Sequence, residues 1–586
     1  GYSFRQVFES PEDEAFYGLG QHQADEFNYK GKNEQLFQYN TKVSVPFIVS
    51  NKGYGVLMDS YSMMRFGNPS DYKQLGDVFK LYDVQGREGC LTGTYVPENG
   101  ETIVRDEPKL YFEHLIEPKM EKVVNLPEDF VFYNSDVTYE GSIEAPATGD
   151  YQFILYYAGY TTVTMDGVEV VPERWRTAWN PNSYKFKVTL QAGEKTPLKI
   201  QWKPDGDVSY CGLRVYDVTD PVQQSKHQWW SEMTKQMDWY FIAGEDMDEV
   251  ISGYRTLTGK AQVMPKWAMG YWQSRERYKT QKELTSTLDE FRQRRLPIDN
   301  MVQDWSYWPE DAWGSHEFDL KRFPDPKGMV DEVHDKNAHI SISIWSSFGP
   351  HTKQFAELKE KGHLLSFETW PQSGLPFWPP RMDYPSGVRC YDVYSPEARD
   401  IYWKYLSHLH GMGIDAWWMD STDPDHMQYK DSDLDEMTAM GSWRSVRNLY
   451  PFFAVGGVDQ HQRAVDSTKR VFILTRSYFA GQQRYGANTW SGDIGSSWDS
   501  FRKQVPICLN YTLTANPNVN ADIGGFFASS YNTQGHNSAP RNPQYQELYV
   551  RWMQFGAFTP MMRSHGADIY REIYYFGKEG EPVYDA

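Results

Sequence analysis

The sequence predicts a multidomain protein in which a (β/α)8 TIM barrel follows an N-terminal β-sandwich that carries a second, inserted β-sandwich. At 586 residues the chain is too long for one core, and its length corresponds to about three or four domains. Its first part consists of short alternating runs punctuated by Gly, Asn and Pro, whereas its second part alternates strands with helices. We therefore predict the N-terminal sandwich at residues 1–117, the insert at 118–220, a return to the sandwich with a linker at 221–253, and the barrel at 254–586.

The two predicted sandwiches differ in their strand patterns. Runs such as "PFIVSNKGYGVLMDS" (Pro46–Ser60) indicate the first sandwich, while Glu140–Val171 alternates over several strands with Asp166–Gly167 as a hairpin turn. The order of "TGDYQFILYY", "VTMDGVEVV" and "VTLQAGEKTPLKIQW" resembles the PA14 module, a β-sandwich often attached to carbohydrate-active enzymes. Another type of β-sandwich insert is the alternative.

Eight segments in the second part are apolar on both faces, as strands of a closed parallel barrel are. They lie at 267–274, 298–305, 339–345, 414–421, 470–477, 487–493, 518–525 and 558–566. Polar residues recur where these segments end: Asp304, Asp420, Arg476, Asp493, Asp522, Arg563 and His565. Because the carboxyl ends of barrel strands form one mouth, this recurrence predicts an active site there.

Asp420 and Asp493 end the fourth and sixth predicted strands, so both carboxyl groups can reach the central mouth. Two carboxyls in a desolvated pocket do not easily ionise together, so one can act as a nucleophile while the other keeps a proton. Hydrolysis of a glycosidic bond with retained configuration needs this pair about 5–5.5 Å apart. An Asp at such a junction is often only a helix N-cap, and we interpret Asp423 and Asp425 as cap or loop residues. Six or seven polar residues at one barrel end exceed what capping explains.

Four motifs, "DAWWMDSTDPD", "TRSYFAGQQRYGANTWSGDIGSSW", "NADIGGF" and "PMMRSHG", resemble glycoside hydrolase family 31 in sequence and order, and "FYGLGQ" (Phe16–Gln21) is similar to that family's leading sandwich. The resemblance implies that Asp420 is the nucleophile and Asp493 the acid/base of a double-displacement mechanism. It also implies that sugar hydroxyls of subsite −1 are bound by Asp304, Arg476 and His565, with Trp490, Trp345, Asp522 and Arg563 completing the pocket.

The family includes several activities, and three bulky side chains indicate one of them. Trp305, Trp345 and Trp418 would crowd the space that a glucose hydroxymethyl group needs, and xylose lacks that group. A PA14-type insert also resembles the arrangement in α-xylosidases that act on xyloglucan oligosaccharides, where it would extend the cleft; "YYAGY" (Tyr156–Tyr160) is a candidate aromatic contributor. We therefore expect an exo-acting α-xylosidase that releases α-1,6-linked xylose. The alternatives are an α-glucosidase or transglycosylase of the family, or a catalytically silent carbohydrate-binding protein.

Composition supports a neutral oligosaccharide partner. Aromatic residues make up 16% of the chain, and sugar rings stack on such faces, whereas the net charge of −20 disfavours nucleic acid. The sequence contains no zinc, nucleotide or calcium motif, so we expect no metal and no cofactor, and no apolar run is long enough to span a membrane. The substrate class implies a secreted, periplasmic or cell-surface location. Since the sequence stops soon after the eighth strand, we also expect a barrel that is incomplete at its C-terminal end.

Overall fold

The computed structural model describes residues 1–23, 27–68, 70–110, 127, 130, 134–176, 183–204, 209–217, 226–370, 387–426 and 429–586. The strands before the barrel are β1 (Tyr2–Glu9), β2 (Phe16–Gln21), β3 (Asn33–Leu36), β4 (Val43–Ser50), β5 (Tyr54–Met58), β6 (Met64–Gly67), β7 (Lys73–Gln74), β8 (Lys80–Tyr82), β9 (Leu91–Val96), β10 (Ile103–Glu107), β11 (Asp136–Glu144), β12 (Gly149–Tyr157), β13 (Gly159–Met165), β14 (Val168–Arg176), β15 (Ser183–Leu190), β16 (Lys195–Lys203), β17 (Cys211–Val215), β18 (Lys226–Thr234) and β19 (Trp239–Ala243). The later strands are β20 (Tyr271–Gln273), β21 (Asn300–Gln303), β22 (His339–Trp345), β23 (Ser347–Phe348), β24 (Arg389–Cys390), β25 (Ala416–Asp420), β26 (Ile473–Thr475), β27 (Ala487–Trp490), β28 (Val519–Asn520) and β29 (Met562–Ser564). The α-helices are α1 (Leu75–Val78), α2 (Met247–Thr258), α3 (Gln281–Gln293), α4 (Pro326–Asp335), α5 (Lys353–Glu360), α6 (Pro396–Met412), α7 (Asp431–Leu434), α8 (Trp443–Val446), α9 (Tyr450–Val465), α10 (Trp498–Thr512), α11 (Pro543–Gly556) and α12 (Pro582–Asp585).

The N-terminal sandwich consists of two antiparallel four-stranded sheets, with strand orders β1-β18-β6-β3 and β19-β5-β4-β2. The strands from residues 226–243 pair with those from the first 67 residues, so the chain returns to this sandwich after the insert. Phe16, Phe66 and Trp229 are fully buried or nearly so in its core. The helix α2 spans the predicted boundary at 253/254 and packs on β5 and β19, because its buried face meets those two strands.

The insert also has two sheets, with orders β10-β9-β11-β16-β13-β14 and β15-β12-β17-β7, and β8 pairs with β11 in the first. Residues 73–107 were predicted to belong to the N-terminal sandwich, but their strands pair with β11 and β17 of the insert. Their alternating pattern suits either sandwich, so only the long-range pairing distinguishes them. The boundaries predicted after residues 117 and 220 lie outside the described residues. Asp166–Gly167 forms the predicted turn between β13 and β14, with positive φ at both residues.

Eight parallel strands form the barrel in the order β20, β21, β22, β25, β26, β27, β28 and, beside β20 again, β29. The seam between β28 and β29 is joined by a parallel bridge between Ile523 and Ser564 just beyond β28. Each of the eight predicted segments contains one of these strands, so the predicted barrel is confirmed. Trp272, Trp418 and Trp490 fill its interior with smaller apolar side chains. No helix in the described part of the chain is both long and apolar enough to cross a membrane.

A turn of the N-terminal sandwich lies against the barrel mouth. It follows β3, and Gln38 anchors it by donating from Nε2 to the carbonyl of Tyr478 (2.9 Å). The backbone N–H of Gln38 donates to Oδ1 of Asn448 (3.1 Å), whose Nδ2 donates to the carbonyl of Leu36 (2.9 Å). The sandwich is thereby fixed where it can contribute side chains to the barrel mouth.

Candidate active site

A cavity of about 470 Å³ lies at the carboxyl ends of the barrel strands. Eight of the residues predicted from sequence line it: Asp304, Trp305, Trp345, Trp418, Asp420, Arg476, Asp493 and His565. They lie on, or just beyond, six different strands. Barrel closure brings them together although they are spread over 262 residues of the sequence, from Asp304 to His565. The predicted convergence of Asp420 and Asp493 on one cavity is observed.

Three other predicted pocket residues lie behind the wall rather than on it. Arg563 packs over the ring of Trp418 at 4.6 Å from its centroid and pairs with Asp522 at 2.5 Å. Trp490 meets Trp418 edge to face at 5.7 Å. All three are buried, so they support Trp418 from the barrel interior instead of contacting what enters the cavity.

Arg476 connects the carboxylates that follow β25. Its guanidinium donates from Nε and Nη2 to the two oxygens of Asp423, at 2.8 Å each, and lies 3.0 Å from Asp425. Its Nη1 is 3.6 Å from Oδ1 of Asp420. Among the described residues the next helix begins at Asp431, so Asp423 and Asp425 are loop residues, and they hold Arg476 beside Asp420.

Asp493 is held by a residue of the N-terminal sandwich. Nδ2 of Asn40 donates to Oδ2 of Asp493 (2.7 Å), and the backbone N–H of Asp493 donates to Oδ1 of Asn40 (3.0 Å). The preceding Gly492 has φ +82, and a Cβ there would lie 2.4 Å from the backbone nitrogen of Thr41. Only glycine therefore allows this approach of the two backbones.

The two central carboxyl groups are suited to share one proton near neutral pH. Burial raises the pKa of Asp420 to about 7 and that of Asp493 to about 6, while the positive charge of Arg476 opposes both shifts. The charge of Asp493 raises the pKa of Asp420 further, so the two ionisations belong to the pair. The site can thus hold a carboxylate and a carboxylic acid together.

Elsewhere the wall offers hydrogen-bonding groups of the kind that bind hydroxyls. Burial, with the nearby Glu276, raises the pKa of Asp304 well above its usual range. Burial lowers the pKa of His565 and keeps it neutral, with Nδ1 2.7 Å from Oγ of Ser274. The buried indole Nε1 atoms of Trp345 and Trp418 have no acceptor among the described residues. Unmatched buried donors in a cavity wall are accounted for by a polar ligand or water.

Several lining residues were missed by sequence reasoning: Asn40, Trp175, Glu276, Trp313, Trp370, Phe526, Phe527, Ser529 and Asp568. Glu276 follows β20 and had the signal that identified Asp304, a polar residue just beyond a barrel strand. Trp175 lies on β14 of the insert, where it meets Phe527 of the barrel edge to face at 5.2 Å. Tyr156–Tyr160, the predicted aromatic contributor, does not line this cavity.

One group of residues could offer three metal ligands in the described part of the chain: Asp83, Cys90 and Asp106. It lies in the insert rather than at the cavity. The Asp83 carboxylate already accepts bonds from Gln85 and Arg87, and its Oδ2 pairs with the Arg87 guanidinium at 2.6 Å. These bonds give Asp83 a structural role in its turn.

Comparison with known proteins agrees with this geometry. Residues 261–586 match the TIM-barrel domain of glycosyl hydrolases family 31. The α-xylosidase of Saccharolobus solfataricus is 37% identical over 369 residues, covering 62% of this chain and 46% of that protein. Alpha-glucosidase 2 of Bacillus thermoamyloliquefaciens is 28% identical over 361 residues, covering 59% and 42%. The crystal structure of a family 31 α-xylosidase from Xanthomonas citri matches with a TM-score of 0.88 and 40% identity, covering 100% of this chain and 63% of that one. The chain spans about half the length of these two curated relatives.

Proposed function

The chain belongs to glycosyl hydrolase family 31, and on that premise we propose that it is a retaining, exo-acting α-xylosidase that removes α-1,6-linked xylose from the non-reducing end of xyloglucan oligosaccharides. The observation that carries the proposal is the pair Asp420 and Asp493, half-buried side chains that line one cavity whose wall includes several indole rings. A catalytically silent binding protein would have no use for two carboxyls that raise the free energy of each other's ionised form.

In the proposed first step, the Asp420 carboxylate attacks the anomeric carbon while Asp493 protonates the departing glycosidic oxygen. This forms a covalent glycosyl-enzyme and releases the rest of the oligosaccharide. In the second step, Asp493 takes a proton from water, which displaces Asp420 and leaves the sugar with its original configuration. Arg476, with its guanidinium 3.6 Å from Asp420, favours the carboxylate form of both acids and so does not by itself assign their roles. The pKa of Asp420, about 7, lies above that of Asp493, about 6, so the singly protonated pair reacts when its proton is on Asp493, the more acidic group.

Xylose specificity is proposed from the crowding at the cavity wall. Trp305 and Trp345 both contact the ring of Trp313, at centroid distances of 5.5 and 5.0 Å, so these indoles support one another and cannot easily move aside. A rigid wall excludes a hydroxymethyl group more strongly than one added contact would favour it. The α-xylosidases among the similar proteins support the same choice.

The substrate comparison is the experiment that tests this proposal. We expect kcat/KM for 4-nitrophenyl α-xyloside to exceed that for the α-glucoside by about 100-fold or more, the upper range for discriminating one carbon group. Both rates are measured on the full protein by release of 4-nitrophenol. A preference for the glucoside would instead favour the alternative that the protein is an α-glucosidase, the activity named for the similar Bacillus protein. Product analysis at high sugar concentration detects transglycosylation.

The insert is proposed to be a PA14-type module that extends the cleft for a branched substrate. The position of Trp175 supports the extension of the cleft by the insert, because this side chain lines the cavity beside Phe527. A secreted, periplasmic or cell-surface location is proposed from the same substrate.

Replacing Trp175 with alanine should therefore lower kcat/KM for a xyloglucan oligosaccharide by about 10-fold, the value of one aromatic stacking contact. Hydrolysis of α-xylosyl fluoride should change little, since fluoride leaves no sugar to stack. Tyr160→Ala is the matched control, because Tyr160 contacts Trp175 at 6.5 Å but does not line the cavity. Equal losses with both substrates would show that Trp175 only supports the fold.

A further inference from the structure

We propose that Asn40 of the N-terminal sandwich is a positioning residue for Asp493: it fixes the carboxyl group and directs its proton to Oδ1, the oxygen that Asn40 does not bond. The inference rests on the acid/base role proposed above for Asp493, and it assigns the sandwich a part in the chemical step.

Two hydrogen bonds in opposite directions define the contact. The Asn40 amide donates from Nδ2 to Oδ2 of Asp493 at 2.7 Å and accepts at Oδ1 from the backbone N–H of Asp493 at 3.0 Å. The second bond fixes the amide orientation, because a flipped amide would place its NH2 group against that N–H. Asn40 is only 6% exposed, so water competes little for either bond.

The turn that carries Asn40 is itself rigidly held. Tyr39 and Lys42 exchange backbone hydrogen bonds at 3.1 and 2.8 Å across it. On its N-terminal side, Gln38 is bonded to the barrel residues Tyr478 and Asn448. The amide therefore has a fixed position relative to the barrel and can restrain the carboxyl group of Asp493, which lies in the loop between β27 and α10.

The chemical consequence follows from the donor at Oδ2. A neutral carboxylic acid accepts hydrogen bonds best at its carbonyl oxygen, so the donor at Oδ2 favours the form with the proton on Oδ1, where it is left for the leaving oxygen. After transfer, the same donor stabilises the carboxylate. The charged groups that act on this carboxyl are Arg476, Asp420, Asp425 and Asp522, and Asn40 is the neutral donor that lowers its pKa among them.

The test compares substrates that need different amounts of acid assistance. For Asn40→Ala we expect kcat/KM for methyl α-xyloside, a poor leaving group, to fall by about 10- to 100-fold, the effect of misplacing one reacting group. For α-xylosyl fluoride we expect less than about a threefold change. The alkaline limb of the pH–kcat/KM profile should move to higher pH, because the lost donor no longer favours the carboxylate.

Two further variants make the result decisive. Asn40→Asp keeps the side-chain shape but replaces the donor, so it should show the same leaving-group dependence and an alkaline limb at still higher pH. Lys42→Ala is the matched control: it lies in the same turn, pairs with Glu34 at 3.3 Å, and should leave both the leaving-group dependence and the limb unchanged. Thermal melting of each variant checks folding.

The inference is overturned if Asn40→Ala slows both substrates equally or leaves the alkaline limb in place. A failure of the proposed xylose specificity can be distinguished from a failure of the Asn40 proposal, because the unmodified protein would then prefer α-glucosides. The same series, with methyl α-glucoside and α-glucosyl fluoride, then tests Asn40.

Discussion

Asp420→Ala is expected to lower kcat for 4-nitrophenyl α-xyloside by about 10⁴-fold or more, because it removes the carboxylate proposed to form the covalent bond to the anomeric carbon. The structure makes this residue hard to replace. Its carboxyl is fixed by the N–H of Ser421 at 2.7 Å and lies 3.6 Å from Arg476, and an alanine side chain reproduces neither contact. Xylose binding, measured by calorimetry, should remain detectable, since the rest of the wall is unchanged.

Asp415→Asn is the matched control for that variant. Asp415 lies just before the same strand, at the opposite end of the barrel, where it pairs with His334 at 2.8 Å and His339 at 3.1 Å. It should alter thermal stability more than kcat. A 5-fluoro-α-xylosyl fluoride trap should label the unmodified protein on the peptide that contains Asp420. Turnover in Asp420→Ala near the unmodified rate, or a label on another peptide, would refute the nucleophile assignment.

The barrel was predictable because its signals are local. Its strands lie in short segments that are largely apolar, and the T-x-x-E spacing of Thr280 and Glu283 predicts a helix start, where the Thr280 Oγ accepts from the N–H of Glu283 at 3.1 Å. The end of α6 was placed less well. From sequence, a helix that opens at Ser395-Pro396-Glu397 is predicted to end at Gly411, but Gly413, with φ +104, ends it, because the two candidate glycines, two positions apart, differ only in the backbone angle that they adopt.

The site was predictable as far as it consists of residues that end barrel strands. Sequence patterns could not separate the residues on the cavity surface from those behind it, since Trp418 and Trp490 lie in two predicted barrel strands that look alike. They also could not find Asn40 or Trp175, which reach the cavity from other domains through contacts between residues hundreds of positions apart. Such contacts are set by domain packing, which no local period encodes.

Asp493→Ala should separate the two halves of the mechanism. Without an acid, kcat/KM for methyl α-xyloside, whose leaving group is poor, is expected to fall by about 10³-fold, within the range for general acid catalysis, and far less for α-xylosyl fluoride. Because protonated Asp493 is needed in the first step, kcat/KM should decline as pH rises through the upper ionisation of the pair in the unmodified protein. Burial places the pKa values of the two acids at about 6 and 7, so a bell-shaped profile near these values is expected.

In the variant the alkaline limb should disappear, and added azide should restore turnover by attacking the glycosyl-enzyme, giving α-xylosyl azide. Retention of the α configuration follows from two successive inversions at the anomeric carbon. Asp499→Asn is the control, since Asp499 lies in the first turn of α10 and pairs with Lys503 at 3.0 Å and Arg174 at 3.0 Å without lining the cavity. A β-azide product would mean a single displacement, and then Asp420 could not be the nucleophile even if its removal abolished activity.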